Sequence, residues 1–228
     1  MNRGRDSKRV IDLLLSLRGA EFLRGNHDDV FDQVLHGESF CGQRGEYDRI
    51  AAFKWFMNFG LYQTFRSYGV SEEDLVRADE RTTGALLDEL AAALPVEHRD
   101  FVRGLRPIFE GDDFFVLHAK WEIERPTDAP AMSNQIAVEA NLRQTIVWGR
   151  YTVEEIAAEK AWNRRGYFGH TPVTTYTDHG GALPIIGPKI VLVDTGAALP
   201  EGQRLTAFSH ESGEFVQAHA MGHLVKGL

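Results

Sequence analysis

The chain has 228 residues, of which 43% are hydrophobic and 25% are charged, and its formal net charge at pH 7 is −8. Such a chain can bury a sizeable core as one domain, and its acidic balance argues against a nucleic-acid partner, whose binding would need a basic surface. The single cysteine suits a reducing compartment, and neither a signal peptide nor an apolar run of ~20 residues is present, so we expect a cytoplasmic protein without a membrane partner.

The first half of the chain is predicted to be mainly helical. Residues 6–18 carry apolar side chains at helical spacing behind polar capping residues, which predicts a helix. The stretch AEFLRG, residues 20–25, is predicted to be a strand closed by glycine. Residues 29–105 then show helical periodicity, and a further helix is expected after Pro95. The aromatic residues of FKWFMNF, 53–59, are expected to pack inward rather than to bind a substrate.

After Gly111 the pattern changes to short strands. Runs rich in Val, Ile and Phe, bounded by Gly, Asp or Pro, predict strands within residues 112–119, 166–171, 188–196, 203–209 and 213–220. A helix is predicted at residues 152–162 between them. The whole pattern predicts an α+β fold, in which helices pack on a sheet core.

Three histidines share one context, because His27, His118 and His170 each follow a short apolar run. A strand that delivers a polar side chain at its carboxyl end is a common way to build a site. For one isolated histidine, a hydrogen-bonded loop position would be the preferred interpretation. Three in the same context, one of them between Asn26 and Asp28, favour a functional site. Neutral imidazoles and an amide oxygen are suitable ligands for divalent manganese, iron or zinc.

Five short motifs occur along the chain in a specific order: LRGNHD (23–28), FVLHA (115–119), WGR (148–150), FGHTPV (168–173) and VDTGAA (193–198). Their order and spacing resemble those of the calcineurin-like metallophosphoesterases, in particular the bacterial phosphoprotein (serine/threonine) phosphatases. The opening segment is similar to the family's V-D-R-G-x-D-S motif and the helix after it. The likeness runs from residue 1 to about residue 218.

The resemblance implies a calcineurin-like fold, with two packed β-sheets flanked by helices in four layers, α/β/β/α. Residues 1–228 would form a single metallophosphoesterase domain with a mainly helical insertion at about 29–105. Family members begin with strands that end in Asp-x-His and Gly-Asp motifs and supply the first metal's ligands and a bridging aspartate. This chain begins inside the following motif and lacks those first strands, so we expect the natural protein to carry an additional N-terminal segment.

The resemblance also implies a mechanism, in which two divalent metal ions activate a hydroxide for attack on the phosphate. Manganese is the expected metal, with iron and zinc as alternatives. The implied roles are metal ligation by Asn26, His118 and His170, general acid catalysis by His27, and phosphate binding by Arg3 and Arg150.

The implied function is hydrolysis of phosphomonoesters, with a serine/threonine protein phosphatase favoured and a phosphorylated protein or a small phosphoester as substrate. A symmetrical dinucleoside tetraphosphate hydrolase and a non-catalytic phosphate-binding relative stay open as alternatives. Asn2 favours the non-catalytic alternative, because the family has an aspartate there that stabilises the protonated general acid. Lys120 replaces the usual glycine near His118, and its charge would either attract an anionic substrate or disfavour a metal.

Overall fold

A computed structural model describes most of the chain. The described residues are 3–42, 45–124, 131–176, 182–199, 204–219 and 224–227. They contain helices and two sheets, which confirms the predicted α+β class. The chain divides into two compact units, Met1–Arg106 and Pro107–Leu228. The single domain over residues 1–228 stays a prediction.

The first unit is built from helices. They are α1 (Ser7–Ser16), α2 (Asn26–His36), α3 (Glu46–Phe56), α4 (Tyr62–Ser67), α5 (Glu72–Glu80), α6 (Gly84–Ala92) and α7 (Val96–Arg103). The helices predicted at residues 6–18 and after Pro95 are therefore confirmed. Their apolar faces meet in a common core, in which Phe31, Phe53 and Phe65 are almost fully buried. None of the helices within the described ranges combines the length and the apolar composition that crossing a membrane requires.

The strand predicted at residues 20–25 is not formed. Leu23 alone pairs, in an isolated parallel bridge to Arg106, and two backbone hydrogen bonds of 2.8 and 3.0 Å join this segment to Arg106. Helix α2 begins at Asn26, so the residues after this segment are helical and cannot extend the pairing beyond the single bridge. The prediction was wrong because a short apolar run becomes a strand only where a partner pairs along its length.

The second unit contains both sheets. Its elements are β1 (Ile108–Glu110), β2 (Phe114–Leu117), α8 (Ala131–Val138), α9 (Ala140–Trp148), α10 (Val153–Ala157), β3 (Arg165–Phe168), β4 (Ile185–Ile186), β5 (Ile190–Leu192), β6 (Arg204–Phe208), β7 (Phe215–His219) and β8 (Leu224–Gly227). The five-stranded sheet has the order β1-β2-β3-β5-β4, with β2, β3 and β5 parallel to one another. The three-stranded sheet, β6-β7-β8, is antiparallel. All five predicted strands of this region are present.

The core of the second unit explains why the predicted helix at residues 152–162 is shorter than expected. Helix α10 ends at Ala157, and the chain is extended at the next residue. Trp162 is buried, with its ring 5.6 Å from that of Phe115 and its Nε1 donating to the carbonyl of Ile123 at 2.8 Å. Burying such a ring is worth about 2–3 kcal/mol, which outweighs the weak helical preference of a few residues.

Two observations connect the strands to one another and to the second sheet. A Cβ atom at Gly166 would lie 2.4 Å from the ring of Phe168 and 2.7 Å from that of Phe115, so only glycine fits this position of β3. The ring of Tyr167 lies 5.6 Å from the ring of Phe208 in β6. Strand β3 therefore contributes packing to both sheets.

A buried ion network holds the start of α2. The guanidinium of Arg24 is almost fully buried, and its Nη1 donates to Asp29 at 3.2 Å and to Asp32 at 2.8 Å. Its remaining groups donate to backbone carbonyl oxygens within residues 102–105. Asp32 also forms a 2.6 Å hydrogen bond with Nδ1 of His36. Such a network is satisfied as a whole, and removing one member leaves a buried charge without compensation.

The network makes stability depend on pH. Burial is the largest single influence and would raise the pKa of Asp32, but the hydrogen bonds and charges of His36 and Arg24 together outweigh it, so the pKa is lowered. A lowered pKa adds stability above the unfolded-state pKa of ~3.9, and this stability is lost as the pH falls toward the folded-state pKa.

We expect Asp32→Asn to reduce the free energy of unfolding at neutral pH by about 3 kcal/mol, because Arg24 loses a buried charged partner. The variant should also lose less stability than the wild type on acidification. Urea unfolding from neutral pH down to about pH 3 measures both effects, with the exposed Asp79→Asn as the control. An Asp32→Asn protein as stable as the wild type at neutral pH would contradict this account.

Candidate functional site

The predicted site residues fall in both units. Arg3, Asn26 and His27 belong to the first unit, and His118, Arg150 and His170 belong to the second. The structure brings Arg3 together with His27, and His118 together with His170. The predicted convergence of Asn26 with the two imidazoles on one ion stays a prediction.

Two imidazoles meet at the carboxyl ends of the parallel strands β2 and β3. Leu117 and Phe168 are paired in register at the strand ends. His118 follows the first directly, and His170 follows the second after one glycine. Nε2 of His118 lies 3.2 Å from Nδ1 of His170. Metal–nitrogen bonds of ~2.0–2.1 Å place two adjacent ligands of one ion about 3.0–3.4 Å apart, so this spacing fits a shared cation as well as a hydrogen bond.

The backbone at His170 is unusual. Its φ is 66°, and no other non-glycine residue in the described part of the chain has a positive φ. This conformation costs an ordinary residue roughly 1–2 kcal/mol, and it persists where surrounding contacts impose it. Here Gly169 donates its N–H to the carbonyl of His118 at 2.9 Å, and Thr171 donates to the carbonyl of Gly169 at 2.8 Å. The tight turn holds the imidazole of His170 against that of His118.

The WGR motif supports this turn from a neighbouring helix end. The ring of Trp148 lies 6.2 Å from that of His170 in an edge-to-face arrangement. Gly149 follows α9 where a Cβ atom would lie 2.6 Å from the carbonyl oxygen of Thr145 and 2.8 Å from Cβ of Lys120. Glycine is therefore required by close packing, and its position places Trp148 beside the imidazole.

Two cationic side chains accompany the imidazole pair. Arg150 is exposed, and its Nη1 lies 3.4 Å from Oγ1 of Thr171. Lys120 forms an ion pair of 2.6 Å with Glu155. Burial is the largest single influence and would raise the pKa of Glu155, but the hydrogen bonds from Lys120 and the Thr152 backbone, with the charges of Lys120 and Lys160, together lower the pKa. The positive charge that the sequence places near His118 is therefore offset by a carboxylate.

In the first unit, Asn26 and His27 lie in the first turn of α2 rather than at the end of a strand. The carboxylate of Asp28 accepts the N–H of Gly25 at 3.0 Å, which caps the start of the helix. Asn26 is buried and His27 is half-buried. A helix start places partial positive charge beside both residues, which suits an anionic ligand.

Arg3 fixes the tautomer of His27. Its Nε donates to Nε2 of His27 at 3.1 Å, so this nitrogen accepts and carries no proton in this arrangement. The general-acid role requires His27 to hold a proton toward the leaving group, and Arg3 must turn to the phosphate for Nε2 to do so. The ring of His27 also packs edge-on against Phe56 at 4.9 Å. Asn2, expected to affect this proton, lies outside the described residues.

Within the described ranges, no group of three or more His, Cys, Asp or Glu side chains is placed to hold a metal ion. The His118–His170 pair would therefore need a ligand of another type, such as the amide oxygen predicted from Asn26. Sequence reasoning missed the supporting residues Trp148 and Thr171. Both lie inside the quoted motifs, Trp148 two residues before Arg150 and Thr171 directly after His170, and this position was the available signal.

Comparison with protein-family models found none that matches the chain, and comparison with curated proteins found no match. The resemblance of the motifs to metallophosphoesterases therefore stays a prediction. Two contacts, Arg3 with His27 and His118 with His170, carry the functional interpretation.

We expect Gly149→Ala to disturb this support. The added methyl group would clash with the carbonyl of Thr145 and with Lys120, which should lower the free energy of unfolding by about 1–3 kcal/mol. Thermal unfolding followed by circular dichroism measures the change. Gly4→Ala is the matched control, because nothing lies within 4 Å of a Cβ atom built there. Equal melting temperatures for Gly149→Ala and Gly4→Ala would show that the WGR turn tolerates a side chain.

Proposed function

We propose that the protein is a calcineurin-like metallophosphoesterase that hydrolyses phosphomonoesters, with a serine/threonine protein phosphatase as the favoured type. The observation that carries the proposal is the approach of His118 Nε2 to His170 Nδ1, 3.2 Å apart at the carboxyl ends of adjacent parallel strands. Two sheets, one mixed and one antiparallel, and the Tyr167–Phe208 contact support the four-layer arrangement that this family implies.

The residues present fit part of a metal site. His118 and His170 would hold two positions on one divalent ion, manganese in the first place and iron or zinc as alternatives. Asn26 is the predicted third ligand, and a complete site would contain two ions. A bound ion of this kind polarises a phosphoryl oxygen and lowers the pKa of water.

The other residues of the site would bind and orient the phosphate. Arg3 and Arg150 each offer a planar fork of N–H donors, which matches two phosphoryl oxygens. If Arg3 turns to the phosphate, Nε2 of His27 is released and can hold a proton for the leaving alkoxide. The helix start at Asn26 adds partial positive charge. In this proposal, Arg3 and Arg150 would neutralise a phosphate dianion, and His27 would protonate its leaving group.

A non-catalytic phosphate-binding relative is the second candidate. It is favoured by the donation of Arg3 to His27 Nε2, which leaves no proton at that nitrogen. It is also favoured by the lack of a cluster of three metal-ligating side chains in the described residues. Such a protein would keep the arginines for phosphate binding without turning over a substrate.

Metal binding tests the proposal most directly. We expect Mn²⁺ titrated into the 228-residue chain to bind, and His118→Ala or His170→Ala to weaken binding by at least about tenfold. Calorimetry measures the affinity. The control is His210→Gln, because His210 bonds Tyr167 and Asp113 in the same unit. Equal affinity in all four proteins would remove the imidazole pair from the proposed site.

Turnover separates the two candidates. With Mn²⁺ present, we expect release of inorganic phosphate from an alkyl phosphomonoester, whose alkoxide leaves poorly without a proton, and we expect His27→Asn to slow it by roughly 10²–10⁴-fold, the usual contribution of a general acid. Steady-state kinetics at saturating metal measure the change. Phosphate binding without any turnover in the wild type would favour the non-catalytic relative.

A further inference from the structure

Two aromatic side chains of the first unit face solvent, contrary to the expectation that the FKWFMNF segment packs inward. Phe53 and Phe56 are buried, but Trp55 is 58% exposed and Phe59 is 48% exposed. The expectation of inward packing is therefore confirmed for Phe53 and Phe56 and wrong for Trp55 and Phe59. Trp55, Phe56 and Phe59 form one cluster, here called the aromatic platform, with ring centroids separated by 5.2 to 6.1 Å.

A kink in the backbone creates the platform. Helix α3 ends at Phe56, and the chain continues through an irregular turn, Met57–Leu61, before α4. Within this turn Phe59 leaves helical geometry, and Gly60 adopts a φ of 112°. Only glycine adopts this conformation readily. Irregular turns of this kind inside helices often accompany functional sites, and this one sets Phe59 beside Trp55 with a ring separation of 6.1 Å.

The platform adjoins the predicted general acid. Phe56 contacts His27 edge-on, with ring centroids 4.9 Å apart, and Arg3 donates to the same imidazole. An apolar ring surface and a guanidinium group thus meet at one histidine within the first unit. A ligand that carries an anion beside a flat apolar group would complement both parts.

The size of the platform limits the choice of occupant. A stable protein interface buries about 800 Å² on each partner, and two exposed rings cannot provide such an area. One flat ring stacked against Trp55 and Phe59 would match them in size. The guanidinium of Arg3 indicates that the same ligand carries a negative charge close to this ring.

We propose that the aromatic platform binds a flat aromatic group on the alcohol side of a phosphoester, while Arg3 and His27 contact its phosphate. This inference rests on the proposed hydrolysis of phosphomonoesters, and it favours a small phosphoester with an aromatic group as the substrate over the phosphoserine and phosphothreonine of proteins, which are alkyl esters. The enzyme selects esters of aromatic alcohols, or of alcohols that carry an aromatic base, over simple alkyl esters. Trp55 and Phe59 are specificity residues, since they contact the group that leaves and not the phosphate.

Binding of unreactive analogues tests the inference without turnover. We expect phenylphosphonate to bind the full chain about three- to tenfold more tightly than methylphosphonate, because a stacked ring contributes this much. The same comparison with adenosine 5′-monophosphate and ribose 5-phosphate tests an aromatic group on a longer spacer. Calorimetry measures all four affinities. The inference is overturned if neither aromatic ligand binds more tightly than its non-aromatic partner, or if none of the four binds.

Substitutions in the aromatic platform test whether it causes the preference for aromatic ligands. Trp55→Ala combined with Phe59→Ala should remove the advantage of the aromatic ligand and leave methylphosphonate binding unchanged. Tyr47→Ala is the matched control, because Tyr47 is 85% exposed at the start of the same helix. Both proteins should keep the wild-type circular dichroism spectrum, since the substituted rings are exposed. An aromatic preference that survives in the double variant overturns the inference.

The outcomes separate the inference from the function on which it rests. One result would contradict the proposed hydrolysis but support the aromatic site. In it, the wild type shows no Mn²⁺-dependent turnover, yet it binds the aromatic ligands more tightly, and the double variant loses this preference. If the wild type hydrolyses phenyl and alkyl phosphates with equal kcat/KM, the aromatic preference is contradicted and the proposed hydrolysis stands.

Discussion

Parallel pairing of β2 with β3 brings His118 and His170 to the same edge of the five-stranded sheet, and the candidate site depends on this pairing. Parallel strands end together, so the residues that follow them are neighbours even though 52 positions separate them in the chain. The strained turn at His170 and the Trp148 contact then fix the direction of one imidazole. The parallel sheet therefore determines where the two imidazoles lie, and the turn at His170 determines how the imidazole of His170 is oriented.

The first unit places its polar residues in a different way. Helix α2 begins where Arg24, Asp29 and Asp32 form a buried network, so the helix start cannot shift without leaving charges unsatisfied. Asn26 and His27 occupy the first turn of that helix, close to its partial positive charge. A buried ion network is weak support for stability in general, but here it fixes the register of a helix that carries two candidate site residues.

The contacts of His27 connect the chemistry to specificity. In the present arrangement its Nε2 accepts from Arg3, and its ring packs on Phe56 of the aromatic platform. A phosphate that takes over the guanidinium would free the imidazole, and an aromatic group on the same ligand would meet Trp55 and Phe59. Binding and proton transfer would then be coupled at one side chain. A ligand without the phosphate would leave Arg3 bonded to His27, and a ligand without the aromatic group would not contact Trp55 and Phe59.

The sequence alone determined the parts of this protein that follow from local pattern. Apolar runs with flanking turn residues located five strands of the second unit and the two histidines that follow β2 and β3, and helical periodicity located most of the first unit. Of the candidate site, the residue types and their order along the chain were predictable, because motif spacing requires no knowledge of packing.

Tertiary structure alone decided the rest. The run at residues 20–25 stayed a single bridge because it lacked a partner along its length, and α10 ended early because Trp162 is buried in the core. The 3.2 Å approach of two imidazoles, the tautomer of His27 and the exposure of Trp55 each depend on residues distant in the chain. Local pattern reports what a segment prefers, whereas pairing, burial and hydrogen bonding are set by neighbours that only the folded chain provides.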